Sequence, residues 1–180
     1  TFDVSIGVSG VGASPYSTGS ESTSILPVLG NSTNSGSNSN VGGGCLNQIS
    51  STGDCSSILG GLSNKNSGSF SSIVGGSNNC ICQISGYSII GGGANNCMSG
   101  SSSVIAGGRN NQNRGNCAFV GGGYFNRNYD CQSVINGGFS NYIFTTGDGR
   151  NTRENIYSAN DTTDTVHSWH GSSAWGLLIQ

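Results

Sequence analysis

Thiols are the side chains of this sequence with the widest range of chemistry, and the 180 residues contain seven of them. Their odd number does not favour a disulfide framework, and the Cys80-Ile81-Cys82 spacing is too close for an ordinary zinc pair. Cys80 and Cys97 each follow an Asn of the repeat described below, so we expect them to stack on adjacent turns within disulfide reach. The pattern favours free thiols that act as small apolar fillers, with one or two disulfides as the alternative. The seven are Cys45, Cys55, Cys80, Cys82, Cys97, Cys117 and Cys131.

The placement of histidines and carboxylates argues against an enzyme. Both histidines, His167 and His170, lie in the C-terminal segment, and no pair of carboxylates stands within the repeats. General acid–base catalysis needs such groups at one site, so we predict no catalytic residues and no cofactor. The two histidines could hold a metal ion with their symmetry copies on an oligomer axis, but surface or capping histidines are the simpler interpretation. We therefore predict no metal.

A stripe of larger side chains is the candidate binding surface. In three consecutive repeats the residue after a recurring Gly pair is, in order, Arg109, Tyr124 and Phe139. On stacked turns these side chains would be vertical neighbours, which permits cation–π and aromatic contacts. Together with Phe125 they predict an exposed patch for a glycan or a protein. The alternative is that they pack against the next subunit or the C-terminal segment.

These candidates are positioned by an internal repeat, which reads aliphatic residue, any residue, Gly-Gly, two variable residues, Asn. Seven copies occur, and their aliphatic residues are 17, 15, 17, 15, 15 and 15 residues apart. The extra residues of the longer copies fall between the Asn and a later Gly, at one corner, so strands would stay in register. The aliphatic positions are Val41, Ile58, Ile73, Ile90, Ile105, Val120 and Ile135, and the Asn positions are Asn47, Asn64, Asn79, Asn96, Asn111, Asn126 and Asn141.

A period of about 15 residues is too short for a helical repeat and fits one coil of a parallel β-solenoid. Each coil should hold two strands of about four or five residues and two tight corners, with the Gly pair supplying positive φ at one corner. The aliphatic residue should point inward, with a small Ser or Ala two residues earlier on the same side. The Asn side chains, stacked at roughly 4.8 Å, can pass amide hydrogen bonds between coils or adopt left-handed backbone at a corner.

The pattern Ser-x-Ile-x-Gly-Gly-x-x-Asn-x-x-x-Gly resembles the YadA-like head repeats of trimeric autotransporter adhesins and, more closely, repeats in bacteriophage tail fibres. The resemblance covers about residues 41–144. It implies a left-handed β-roll of about seven coils, packed side by side as a trimer, with a role in adhesion or host recognition. These families favour Ala where this chain has Asn66, Met98, Asn113 and Asn128.

The chain is expected to divide into four segments. Residues 1–24 form an N-terminal strand that caps the first coil or adds to a neighbouring subunit, because their apolar residues alternate with polar or Gly residues. Residues 25–40 form a degenerate coil, with a vestigial motif at 28–34. The β-solenoid spans 41–144, and residues 145–180 form a C-terminal cap or neck.

Composition narrows the function further. Gly, Ser and Asn make up close to half of the chain, hydrophobic residues 33% and charged residues only 8%. This composition argues against a thick-cored α/β enzyme and excludes a helical bundle. The net charge of −2 predicts no nucleic-acid partner, and no apolar run is long enough to cross a membrane.

We therefore expect a structural and adhesive fibre module, extracellular, on a virion tail fibre or a cell-surface appendage. A thin core would be relieved by pairing with copies of itself, so a homotrimer that attaches to a host-surface glycan or protein is expected. The alternative is a subunit of a self-assembling extracellular filament. An ice-binding solenoid is disfavoured because no Thr-x-Thr ladder repeats along the coils.

Overall fold

A computed structural model describes residues 32–144 in full and, outside them, the backbone of four short strands. The described part is all-β, without a helix, and its parallel strands stack as a β-solenoid of about seven turns. This confirms the predicted fold class. The sequence-based expectations for residues 1–15, 18–22 and 25–31, and for most of 145–180, lie outside the described residues.

Numbered in chain order, the odd strands form a ten-stranded parallel sheet (the odd sheet) and the even strands a nine-stranded one (the even sheet). Spatial order follows chain order, because each turn contributes one strand to each sheet. The odd sheet contains β1 (Tyr16–Ser17), β3 (Thr33–Asn34), β5 (Gln48–Ile49), β7 (Lys65–Asn66), β9 (Cys80–Ile81), β11 (Cys97–Met98), β13 (Gln112–Asn113), β15 (Arg127–Asn128), β17 (Tyr142–Phe144) and β19 (Thr165–His167). The even sheet contains β2 (Thr23–Ser24), β4 (Asn40–Val41), β6 (Ser57–Ile58), β8 (Ser72–Ile73), β10 (Ile89–Ile90), β12 (Val104–Ile105), β14 (Phe119–Val120), β16 (Val134–Ile135) and β18 (Asn155–Ile156).

The strands are shorter than expected, two or three residues each instead of four or five. The reason is that residues with left-handed backbone dihedrals recur three times per turn and interrupt the extended chain. In one turn these residues are Phe70, Gly76 and Asn78. A third line of contact runs along the rod between the two sheets, because the residue after each Gly pair forms a single parallel bridge with the next turn. The bridged residues are Cys45, Leu62, Ser77, Ala94, Arg109, Tyr124 and Phe139.

The core consists of two buried columns. The seven aliphatic residues of the motif pair in register from turn to turn and are fully buried, as predicted. The small Ser or Ala residues two positions earlier are also buried: Ser56, Ser71, Ser88, Ser103, Ala118 and Ser133. The odd strands supply a second buried column in which apolar and Asn side chains are mixed: Asn34, Ile49, Asn66, Ile81, Met98, Asn113, Asn128 and Ile143.

Within the seven copies, length differences between turns are confined to one corner, as predicted. Val41 pairs with Ile58 across a spacing of 17 residues, and Ile58 pairs with Ile73 across 15. The chain path from an even strand to the next odd strand has the same length in all seven copies. The extra residues therefore fall on the return path from an odd strand to the next even strand.

The motif Asn is not left-handed, so that expectation is wrong. The left-handed residue is its predecessor, such as Asn78 with φ 54°, whereas Asn79 is fully buried. The second Gly of each pair does have positive φ, as predicted, and at Gly76 it is 85°. A Cβ on Gly76 would also collide with the carbonyl oxygen of Gly93 on the next turn, so only glycine fits there.

The first turns have a different register from the one expected for residues 28–34. Asn34 pairs with Ile49 in the second core column, not with Asn47. Ser32 takes the motif-Asn position, because its Oγ accepts a hydrogen bond of 3.1 Å from the backbone N–H of Asn47. The aliphatic column continues upstream at Ser24, the register partner of Val41. The vestigial motif was therefore misaligned by two residues at its Asn position and by four at its aliphatic position.

Candidate functional site

The motif Asn column joins successive turns, and apart from Asn141 Oδ1, which has no recorded partner, its polar atoms are engaged by the backbone or by a neighbouring motif Asn. The Nδ2 of Asn96 donates to the carbonyl oxygens of Gly92 and Gly108, both at 3.0 Å. Its Oδ1 accepts the backbone N–H of Asn111 at 3.0 Å. Direct amide-to-amide bonds, predicted for the whole column, are recorded for Asn64 to Asn47 and Asn141 to Asn126. Buried and bonded in this way, these side chains are structural and present nothing to a ligand.

The predicted binding stripe is assembled at the corner between the sheets. Arg109, Tyr124 and Phe139 are bridge partners on consecutive turns, so they are vertical neighbours as expected. The Tyr124 ring contacts Phe125 edge-on at 4.5 Å and stacks on Phe139 at 5.6 Å between centroids. The three aromatic side chains are between 37% and 38% exposed. The cation–π contact recorded within residues 32–144 lies elsewhere, with Arg114 over Tyr129.

The outer face of the even sheet carries an apolar stripe that the sequence analysis missed. Ile89, Val104, Phe119 and Val134 are register partners on four consecutive even strands, each immediately before a buried core residue. None of the four is buried, and Ile89 is 45% exposed. Small residues occupy the column beside the first three, Gly91, Ala106 and Gly121, and Asn136 stands beside Val134. The sequence does carry a signal for this stripe. In these four repeats an aliphatic or aromatic residue stands directly before the aliphatic residue of the motif.

Three thiols meet on the outer face of the odd sheet. Cys80 and Cys97 are register partners on β9 and β11, as predicted, and both are free thiols. The pKa of Cys97 is lowered from 9.0 to about 6, and the hydrogen bond from Cys80 is the main cause. Burial opposes this shift, whereas Ser99, Cys82 and Arg114 add to it. The same hydrogen bond, followed by burial, raises the pKa of Cys80. A disulfide between the pair stays a prediction.

None of the seven cysteines is buried in the core, since each is half-buried or exposed. The interpretation of these residues as apolar fillers is therefore wrong. The odd and even core columns are filled by Ile, Val, Met and Asn, and the cysteines lie on the outer strand positions or at corners. Spacing alone did not distinguish the inner from the outer side of the coil at these positions.

An aromatic recess lies next to the thiols on the odd sheet, and we define it by Gln112, Arg114, Tyr129, Tyr142 and Phe144. Tyr129 meets Tyr142 edge-on at 5.2 Å between centroids, and Tyr142 stacks on Phe144 at 5.8 Å. The Arg114 guanidinium carbon lies 4.9 Å from the centre of the Tyr129 ring. Arg114, Tyr129, Tyr142 and Phe144 line an open space of about 340 Å³.

A polar network fixes the recess from one side. With the Gln112 amide oriented to satisfy its neighbours, its oxygen accepts two N–H groups of Arg114, at 2.9 and 3.0 Å. Its Nε2 then donates to the hydroxyl of Tyr129 at 2.6 Å. The guanidinium is therefore held by a neutral amide and keeps further N–H donors for a second partner. The sequence analysis missed this group because its members are spread over three turns.

No protein-family model and no curated protein matches this chain. Between residues 32 and 144 no three His, Cys, Asp or Glu side chains are grouped so that they could hold a metal ion. The same residues contain no helix of the length and apolarity that a membrane span requires. His167 belongs to β19, whose side chains are not described, and His170 lies outside the described residues. The surfaces of the rod are thus the features from which function can be argued.

Proposed function

We propose that the chain is a non-catalytic structural and adhesive fibre module, which associates side by side with copies of itself through the outer face of the even sheet. The observation that carries this proposal is the apolar stripe of Ile89, Val104, Phe119 and Val134. Burying such a stripe removes apolar surface from water at about 25 cal/mol per Å². The small residues beside it allow the backbones of neighbouring rods to approach closely.

Geometry favours a closed parallel bundle. The stripe is in register along the rod, so copies that lie parallel can cover it over its whole length. Cyclic symmetry closes such a contact, and three copies around one axis agree with the resemblance to trimeric head repeats. Attachment to a host-surface glycan or protein would use the faces that remain exposed, on a virion tail fibre or cell-surface appendage.

The alternative is a filament subunit that stacks end to end. It is favoured by the parallel ladder itself, because β1 and β19 each have one recorded neighbour at opposite ends of the odd sheet. A strand with one neighbour presents unpaired backbone groups to another chain.

Native mass measured by light scattering over a range of concentrations tests the proposal. We expect a constant mass of three chains for the wild type and a single chain for Ile89→Asp, which places a charge in the stripe. Gln48→Asp, an exposed position on the odd sheet, is the control and should stay trimeric. Circular dichroism verifies that both variants are folded. Mass that grows with concentration would support the filament, and a monomeric wild type would overturn both.

A further inference from the structure

The aromatic recess combines apolar rings with an unusual concentration of positive charge. The two outward columns of the odd sheet between residues 48 and 144 carry Lys65, Arg114 and Arg127 and no Asp or Glu. The Cys97 thiolate on β11, which interacts with Arg114, is the anionic group in these columns, so three cations face one anion. Arg127 is the register partner of both Gln112 and Tyr142, so two of these three cations border the recess. The whole chain has a net charge of −2, so this is a local feature and not the overall balance. A cationic recess with aromatic walls selects an anion that also has an apolar face.

The rings are arranged to receive a flat, semi-apolar group. Tyr142 and Phe144 stand at alternate positions of β17 and therefore on one side of the sheet, and their ring planes differ by 18°. Phe144 is 49% exposed, so its ring is accessible from solvent. A sugar ring has an apolar face of C–H groups and an edge of hydroxyls, which suits a surface that offers aromatic faces and tyrosine hydroxyls together.

The cation is pre-positioned before any ligand arrives. Gln112 and the Tyr129 ring hold the Arg114 guanidinium, so little side-chain freedom is lost when an anion pairs with it. A planar guanidinium pairs with carboxylate or sulfate oxygens through two parallel N–H donors. By contrast, the corner stripe has stacked rings but no recorded contact between Arg109 and any of them within the described residues.

We propose that the aromatic recess binds an acidic oligosaccharide, with a sugar ring against Tyr142 and Phe144 and a carboxylate or sulfate paired with Arg114. The three strands β13, β15 and β17 span about 10 Å, which is enough for a short oligosaccharide. The inference names the ligand class for the adhesive part of the proposed function and rests on that part. It does not depend on the association of copies, because the recess is formed within one chain.

Calorimetric titration of the full chain with defined sugars tests the inference. The probes are sialyllactose for the carboxylate, a heparin-derived tetrasaccharide for the sulfate, and lactose as the neutral counterpart. We expect binding of at least one acidic sugar, weakening with added NaCl, and at least tenfold weaker binding of lactose. Arg114→Gln and Tyr142→Ala should each weaken acidic-sugar binding at least tenfold, while Tyr124→Ala on the corner stripe should leave it unchanged.

Four results would overturn the inference: no acidic sugar bound at millimolar concentration, equal binding of lactose, equal loss with Tyr124→Ala, or equally tight binding of a poly-glutamate peptide. The same titration on Ile89→Asp separates this inference from the association of copies. Retained sugar binding by a monomeric chain would support the recess whatever the oligomeric state. Thermal unfolding of each variant verifies that the loss of binding is not a loss of fold.

Discussion

Cys97 shows how single side chains on the rod acquire properties that their type alone does not predict. Its sulfur receives a hydrogen bond from Cys80, which stabilises the thiolate, and Arg114 adds a favourable charge. Stacking in register is the cause, because Cys80 and Cys97 occupy the same position on adjacent turns. The thiolate is the reactive form of cysteine, so reactivity at this position follows from the pairing of strands.

We predict that iodoacetamide alkylates Cys97 with a midpoint near pH 6, because its pKa is lowered to about 6. The rate should be low below that pH, rise through it and reach a plateau near pH 7, where a free-cysteine standard is still mostly protonated. Peptide mapping by mass spectrometry at a series of pH values measures the rate at this residue.

Cys80→Ala is the matched variant for this prediction, because it removes the hydrogen bond that contributes most to the lowered pKa. The alkylation midpoint of Cys97 should then move to higher pH. An unchanged midpoint would show that the neighbouring thiol is not the cause.

The corners and columns were predictable from sequence to different degrees. The aliphatic column, the Gly pairs and the corner that absorbs extra residues follow from regular spacing, because register in a parallel stack repeats every turn. The second core column was not predicted, because Asn113 and Asn128 stand in it beside Met98 and Ile143 and hide the apolar pattern. The apolar stripe and the aromatic recess were also missed, because the residue type at these outer strand positions varies from turn to turn and gives no repeating pattern.

In the pair Gly75-Gly76, glycine at the second position should be essential, and glycine at the first position should not. Gly76→Ala forces an L-residue into φ 85° and against the carbonyl of Gly93, so we expect a loss of at least about 2 kcal/mol in the free energy of unfolding. No neighbouring atom lies within 4 Å of a Cβ placed on Gly75, so Gly75→Ala should be close to neutral. Urea denaturation of the two variants measures the difference, and equal losses would contradict this account of the corner.

At the scale of the whole molecule, the described part of the chain is a stack in which each turn contacts its neighbours along one axis. Both sheets keep the chain order of their strands. Stability in such a stack is approximately a sum of turn and interface contributions, so a turn can be removed without changing the others. The surface of the rod then consists of columns of side chains, and each turn contributes one residue to each column.

Deletion of one complete turn should leave a folded, shorter rod. Removing residues 105–119 joins Val104 to Val120 and preserves the column positions, so we expect a far-ultraviolet circular dichroism spectrum of the same type. Small-angle scattering should show a rod shorter by about 4.8 Å. Removing residues 107–120 is the matched control, because it adds one residue to the path from an even strand to the next odd strand, whose length is the same in all seven copies, and it should disrupt the stack. Equal folding of both deletions would mean that register does not determine this structure.

The corner that absorbs the two-residue length differences has an evolutionary consequence. Its exposed Ile84 is 75% accessible, and the strands on either side of it pair as they do in the shorter turns. Sequence added at this corner therefore leaves the stack intact, and equivalent corners of successive turns lie in one row along the rod. Insertions and substitutions in this row of corners can therefore change the exposed surface of the rod during evolution, while the strands and core columns keep their sequence requirements.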